Sequence, residues 1–183
     1  MHYPDLEEYC YADPKSERYA YFELRTRNIG WLWSDVPFEQ GTVPAEVTRK
    51  LRDVLIMGSF REEVLQRLYP SCTAPSDFRT EIVRGPVLPC PLCGQEPVLD
   101  LGVGLPVYPQ LALGRSEYAI PNPGRSLFYV FPDLLLHYIG EHGYRPPAVF
   151  VQALEALDLC GGVVVETLMS RRRPKRRLIQ RRA

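Results

Sequence analysis

The clearest amphipathic pattern lies in the first third of the chain and predicts two consecutive helices. Its apolar positions recur at helical spacing with charged residues between them: Val47, Leu51, Val54 and Leu55. Because proline favours a first turn and glycine favours an end, the first helix is predicted over about 44–56, with Gly58 ending it. Ser59 and Glu62 have the spacing of a capping box, which predicts a second helix over about 60–68.

Two further helices are predicted in the last third of the chain. Pro132 and Asp133 precede the first, over about 134–141, because proline fits a first turn and an acid stabilises the positive end of the helix dipole. The second follows a break at 143–147 and carries an apolar stripe: Val149, Phe150, Ala153, Leu154 and Leu157.

Only short strands are predicted, because glycine and proline interrupt the chain every few residues between positions 96 and 125. Tight turns are predicted at 28–30 and 122–124. The predicted strands lie at about 18–27, 31–33, 78–83, 97–101, 117–120 and 127–130, and the apolar segment 163–168 fits an edge strand. The elements together predict an α+β fold with a small antiparallel sheet and three to four helices.

The length and composition fit one domain. A chain of 183 residues that is 45% hydrophobic can bury one sizeable core, so residues 1–170 are predicted to form a single α+β domain. No run of about 18 uncharged apolar residues occurs, and the N-terminus is acidic where a secretory signal is basic, so no membrane partner is expected. Five scattered cysteines do not form the framework of a disulfide-rich secreted domain, which favours a reducing, cytoplasmic location.

The formal net charge of zero hides a segregation of charge. Eight of the 22 Lys and Arg residues lie in the last 13 positions, which predicts a basic, disordered tail over 171–183. The rest of the chain keeps 14 basic against 22 acidic residues, a formal charge of about −8. An acidic body favours a basic protein partner, whereas the tail allows contact with nucleic acid phosphates.

The segment Cys90-Pro91-Leu92-Cys93-Gly94 carries the most specific chemistry. Its two cysteines place two thiolates on one tight turn, and the glycine allows the positive φ that this turn requires. Such a knuckle supplies half of a tetrahedral zinc site. The alternatives are a pair of cysteines without metal and a redox pair, but redox pairs begin a helix and Gln95-Glu96-Pro97 does not.

The other half must come from the remaining cysteines and histidines: Cys10, Cys72, Cys160, His2, His137 and His142. His137 and His142 have a spacing that zinc sites use when a helix supplies two ligands. Five residues turn a regular helix by about 500°, which leaves the rings about 140° apart, so they converge only if the helix loosens near Gly140 and Gly143. The alternative is that either ring caps the helix or binds a core carbonyl. The predicted structural zinc site is Cys90, Cys93, His137 and His142.

Signatures of catalysis are absent from the sequence. It contains no nucleophile elbow, phosphate-binding loop, dinucleotide fingerprint or His-Glu-x-x-His motif. A catalytic metal would need an open coordination position and a nearby base, for which Glu141 is the one obvious choice. We therefore expect that the protein is not an enzyme.

Over residues 3–157 the chain resembles a group of small bacterial proteins of unknown function. The most specific part of the resemblance is the block 128–150, with Tyr-x-x-Pro followed by His-Tyr-x-x-x-His-x-Tyr-x-Pro-Pro-x-x-Phe. Asn28-Ile29-Gly30-Trp31-Leu32 and Arg84-Gly85 extend it upstream. A Cys-x-x-Cys precedes the two histidines in that group, so the resemblance implies a shared metal site but no known activity. The histidine that relatives often carry before the first cysteine is replaced here by residues 86–89.

Two functions follow as hypotheses. The leading one is a non-enzymatic immunity protein that inhibits a basic bacterial toxin domain, which the small size, the missing catalytic motifs and the acidic body favour. The alternative is a zinc-stabilised regulatory protein that binds RNA or the ribosome through its basic tail.

Overall fold

The computed structural model describes residues 2–9, 25–82, 87–101 and 110–165. Within these ranges the chain forms six strands and four helices: β1 (Arg25–Asn28), α1 (Ala45–Ser59), α2 (Glu62–Leu68), β2 (Arg79–Ile82), β3 (Val98–Asp100), β4 (Gln110–Ala112), β5 (Ser116–Pro121), β6 (Leu127–Pro132), α3 (Leu135–His142) and α4 (Ala148–Glu155). One sheet has the strand order β1-β6-β5-β2, and β3 pairs with β4 in a second. The predicted α+β class is confirmed, although the larger sheet is mixed because β1 runs parallel to β6.

Strands β5 and β6 form the centre of the larger sheet as an antiparallel hairpin. Five consecutive residues of each strand are buried, so both faces of the hairpin are covered. The predicted turn between the strands is closed by Asn122, whose side-chain oxygen accepts hydrogen bonds from the backbone N–H groups of Ser126 and Leu127. On one face, Phe150 of α4 packs edge-on against Tyr129 and Phe131.

Helix α1 begins after Pro44 and buries its predicted apolar face, but it does not end at Gly58. That prediction was wrong because Gly58 allows the helix to pack closely against the sheet. A Cβ at this position would lie 2.8 Å from Cε1 of Tyr118. Ser59 is still helical, and its hydroxyl bonds to the Tyr118 hydroxyl at 2.7 Å. The predicted capping box is therefore absent, and α2 starts at Glu62 without a side-chain cap.

The strand predicted at 31–33 is also wrong. Trp31 makes one isolated bridge, to Tyr3. Gly30 turns the chain with a φ of +67°, and a Cβ at this position would lie 2.5 Å from Cδ1 of Leu135. The chain therefore passes too close to α3 to continue as a regular strand.

Several predictions fall partly outside the described ranges. These are the start of the first strand (18–24), the end of the apolar segment 163–168, and the basic tail 171–183. Among the helices that are described, none combines the length and the apolar character that crossing a bilayer requires.

Residues 87–101 and 110–114, called the ribbon below, form a separate unit around β3 and β4. The antiparallel pairing of the two strands is extended by hydrogen bonds from Leu113 N–H to the Pro97 carbonyl and from Leu88 N–H to the Gly114 carbonyl. At its far end, the guanidinium group of Arg52 in α1 donates to the carbonyls of residues 100 and 101. The ribbon is thus held to α1 by these hydrogen bonds and to the core by the packing of Leu99, Leu111 and Leu113.

The Asp133 carboxylate ties the ribbon to the larger sheet. It accepts hydrogen bonds from the backbone N–H groups of Gly114, Arg115 and Ser116, at 2.7, 3.1 and 3.0 Å. Burial raises the pKa of Asp133 to about 6, and the N–H donors act in the opposite direction. Because α3 begins two residues after Asp133, the same residue fixes both the end of the ribbon and the approach to this helix.

The substitution Asp133→Asn is expected to lower the free energy of unfolding by about 2 kcal/mol at pH 8. The amide keeps one acceptor oxygen. Its NH2 group takes the place of the other oxygen and faces the backbone N–H groups that bonded to it, and an unpaired buried donor costs about 1–3 kcal/mol. Urea denaturation measures the difference. Exposed Asp35→Asn is the matched control and should change stability by less than about 0.5 kcal/mol. Equal effects of the two substitutions would contradict the role given to Asp133.

Candidate metal centre

The knuckle at residues 90–94 has the backbone geometry that its sequence predicts. The N–H of Gly94 donates to the Cys90 carbonyl at 2.8 Å, and the N–H of Leu92 points at the Cys90 sulfur at 3.4 Å. Gly94 has a φ of +73°, and a Cβ there would meet nothing within 4 Å. The left-handed conformation, rather than lack of space, is therefore the reason for glycine at this position.

Helix α3 supplies both histidines and ends as the sequence required. His142 is its last residue, and Gly143 adopts a left-handed conformation with φ 65° and ψ 23°. The N–H groups of Gly143 and Tyr144 both donate to the Tyr138 carbonyl, which closes the helix end. The chain thus leaves the helix directly after His142. The predicted loosening near Gly140 is not seen, because the helix is continuous through His142, yet the two imidazole rings approach each other.

The four predicted ligand atoms converge on one point. Cys90 Sγ lies 3.4 Å from His142 Nε2, and Cys93 Sγ lies 3.4 Å from His137 Nε2. The two Nε2 atoms are 3.2 Å apart, and all four ligand atoms lie within 4.8 Å of one another.

Three of these separations match the edges of a tetrahedral zinc site. Bond lengths of about 2.3 Å for Zn–S and about 2.0–2.1 Å for Zn–N give tetrahedral edges of about 3.6 Å between S and N and about 3.3 Å between two N atoms. The observed S···N distances of 3.4 Å and the N···N distance of 3.2 Å match these edges closely. Cys90, Cys93, His137 and His142 are therefore positioned to hold a metal ion.

Burial divides the four side chains into an inner and an outer pair. Cys90 is 1% and His137 is 8% exposed, whereas Cys93 is exposed and His142 is half-buried. Burial raises the pKa of the Cys90 thiol. Burial and, next, the neighbouring His142 lower the pKa of His137. His137 is thereby favoured in the neutral form that binds metals, whereas a metal must displace the Cys90 proton.

The other ligand candidates lie elsewhere. Cys72 and Cys160 form a disulfide instead of supplying ligands. The His2 ring nitrogen Nδ1 hydrogen-bonds the Trp31 carbonyl at 2.8 Å. Cys10 falls outside the described ranges. The rings of His137 and His142 face the two sulfurs, which does not support the alternative of a helix cap.

The disulfide is the one feature of cysteine chemistry that the sequence did not predict. Cys72 and Cys160 are 88 residues apart, and their Cα atoms are 5.4 Å apart, inside the range of disulfides in proteins. Once the Cys-x-x-Cys pair is set aside, three cysteines remain, and an odd number carries no pairing signal.

Residues 1–155 match a family described as a domain of unknown function, DUF7919. The match covers well over half of the chain, so the protein belongs to this family. All four candidate ligands lie inside the matched region, whereas Cys160 lies beyond it. Among curated proteins and solved structures, none shows significant similarity to the chain. The expected resemblance to an uncharacterised family is confirmed at this level.

The two glycines of α3 give a matched test of the helix end. Gly143→Ala is expected to cost about 1–2 kcal/mol of unfolding free energy, because alanine is strained at a φ of 65°. Gly140→Ala should stabilise the protein by up to about 1 kcal/mol, because residue 140 is helical and exposed and a Cβ there meets nothing within 4 Å. Urea denaturation measures both, and the reverse order would contradict the assigned helix end.

Proposed function

We propose that this DUF7919 protein is a zinc-stabilised binding protein in which Cys90, Cys93, His137 and His142 hold one Zn²⁺ ion. The observation that supports this most directly is the tetrahedral spacing of their donor atoms. Two thiolates and two imidazoles are a donor set that zinc prefers. The ion joins the ribbon to α3, across pairs of ligands that are 44 and 52 residues apart in the sequence.

The ribbon has a physical need for such a cross-link. Its strands have three residues each, and their outer positions face solvent, with Val98 53% exposed. A two-stranded hairpin of this size is at best marginally stable in water. A structural zinc ion contributes folding free energy directly, and here it adds to the apolar contacts that Leu99, Leu111 and Leu113 make with the core.

The donor set favours a structural over a catalytic ion. Four protein ligands complete a tetrahedron, whereas a catalytic zinc keeps one position open for water or substrate. Glu141, the one base that the sequence offered for metal-assisted hydrolysis, is exposed. We therefore propose that the protein acts by binding and not by catalysis.

The charge of the chain outside its basic tail favours a basic partner. The chain without its basic tail carries a formal charge of about −8, which favours and accelerates association with a basic protein surface. An immunity-type inhibitor that covers a basic toxin domain in a bacterial cytoplasm fits this charge and the proposed absence of catalysis. The competing function, RNA or ribosome binding, is favoured by the eight cations of residues 171–183.

Purified wild-type protein is expected to contain about one zinc ion per chain, and Cys90→Ser and His142→Ala should each contain much less, because loss of one of the four donors weakens zinc binding. Elemental analysis measures the zinc. Stripping the metal should lower the free energy of unfolding by about 4 kcal/mol relative to protein kept at a free zinc concentration 1,000 times Kd.

His2→Ala is the matched control, because His2 bonds a carbonyl far from the four ligands in sequence and should keep its zinc. Exchange of zinc for Co²⁺ adds a test of the closed site: added cyanide should leave the cobalt spectrum unchanged. Zinc retained in His142→Ala, or a cobalt spectrum that responds to cyanide, would contradict the four-ligand structural site.

Deletion of residues 171–183 separates the two candidate functions. If the acidic body binds the partner, the truncated protein should still restore growth to cells that express a toxin domain encoded by a neighbouring gene. If the tail binds RNA, truncation should abolish retention on RNA, because eight phosphate contacts are lost. Cell death with both full-length and truncated protein would contradict the immunity function.

A further inference from the structure

Residues 157–165, called the strap below, pack against the rest of the domain just beyond the region that defines the family. The family match ends at residue 155, two residues before the strap begins. The Cys72–Cys160 disulfide joins the middle of the strap to the loop after α2. The strap is therefore held covalently at one point and non-covalently on both sides of it.

The strap occupies backbone positions next to the start of β2. Its hydrogen bonds run from Ser76 N–H to the Leu159 carbonyl (2.9 Å), Gly162 N–H to the Ala74 carbonyl (2.8 Å), Asp77 N–H to the Val163 carbonyl (2.7 Å) and Val165 N–H to the Asp77 carbonyl (2.9 Å). Asp77 and Val164 form a parallel bridge. The strap thus covers a sheet edge that an extended peptide could otherwise pair with.

Apart from these bonds, the Ser76 hydroxyl accepts from the Val163 N–H at 3.0 Å and donates to the Asp158 carbonyl at 3.5 Å, and Leu159 and Val163 pack partly buried against the core. The fully buried side chains of the strap are those of Leu157 and Val165, at its two ends. Between them, Cys160, Gly161 and Gly162 are exposed, and Val164 is 45% exposed. Segments with few buried apolar contacts open locally far more easily than the core of the same protein.

The disulfide is asymmetric in its access to solvent. Cys160 is exposed, whereas Cys72 is 7% exposed and lies in the apolar cluster beneath α2. A reductant therefore reaches the sulfur of Cys160 first. Rates of thiol–disulfide exchange depend on this access.

We propose that the Cys72–Cys160 disulfide is a redox latch that fastens the strap over the edge of β2. A thiolate of a dithiol reductant attacks the Cys160 sulfur, and the Cys72 thiolate leaves and takes up a proton. The second thiol of the reductant then resolves the mixed disulfide, which releases Cys160 as a thiol and the reductant as a disulfide. Two electrons and two protons pass to the protein, and the reductant is oxidised by the same amount.

Opening the latch frees the backbone N–H and carbonyl of Asp77, which bond Val163 and Val165 in the closed state, for an extended peptide that adds to the sheet edge.

The latch is independent of the proposed zinc site. Cys90 and Cys93 bind metal as thiolates, which a reductant leaves intact. Reduction should therefore release the strap while zinc stays bound, so failure of one proposal leaves the other standing.

Hydrogen exchange measured by mass spectrometry on the full chain tests the latch. In reduced protein, peptides covering residues 72–78 and 158–165 should exchange at least about ten times faster than in oxidised protein, because local opening is no longer blocked. Peptides from β5 and β6 should be unchanged, and elemental analysis should show the same zinc content. Tris(2-carboxyethyl)phosphine is a suitable reductant.

The double variant Cys72→Ser, Cys160→Ser is the matched control, and without reductant it should exchange like reduced wild-type protein. Alkylation and mass spectrometry across a series of glutathione buffers should show the disulfide opening and reforming reversibly. Unchanged exchange in the strap, equal acceleration in β5 and β6, or a disulfide that never forms or never opens in these buffers would overturn the proposal.

Discussion

The set of hydrogen bonds at the Asp133 carboxylate is the interaction on which the arrangement of the domain depends. Strand β6 reaches this residue from the centre of the larger sheet, where it pairs with both β1 and β5. The ribbon returns to it through the N–H groups of residues 114–116, and α3 begins two residues later. One buried acid thus sets the position of the knuckle on one side and of the histidines on the other. The four ligand atoms converge between these two segments.

Local patterns were enough to predict the helices and the fold class. Apolar spacing located α1 and α4, and the start signal of Pro132 and Asp133 located α3, each to within a few residues. The wrong predictions concern glycines that allow close contact between elements distant in sequence. Gly58 was predicted to end a helix, but it allows close contact with Tyr118. The turn predicted at Gly30 does not lead into a strand, because the chain lies against Leu135 there. The parallel pairing of β1 with β6 joins segments about 100 residues apart and leaves no local trace.

The four residues of the candidate metal centre could be predicted from the sequence, but their geometry could not. The knuckle is a local motif, so Cys90, Cys93 and the left-handed Gly94 followed from a five-residue segment. A regular helix would hold the two histidine rings about 140° apart, yet both residues lie within α3 and their Nε2 atoms are 3.2 Å apart, so the side-chain conformations rather than the sequence spacing bring the rings together. The Cys72–Cys160 bond depends on the packing of the strap against the loop after α2. The spacing of cysteines in the sequence does not predict this packing.

The two cross-links are nested along the chain. The disulfide closes a loop of 88 residues, and all four candidate ligands lie inside it, between positions 90 and 142. Closing an inner loop costs less entropy when an outer one already confines the chain, because the ends to be joined explore a smaller volume. The covalent bond therefore raises the effective concentration of the four candidate ligands for one another, even when the chain between positions 72 and 160 is unfolded. In a domain built in this way the four side chains can meet again without first searching the conformations of an open chain.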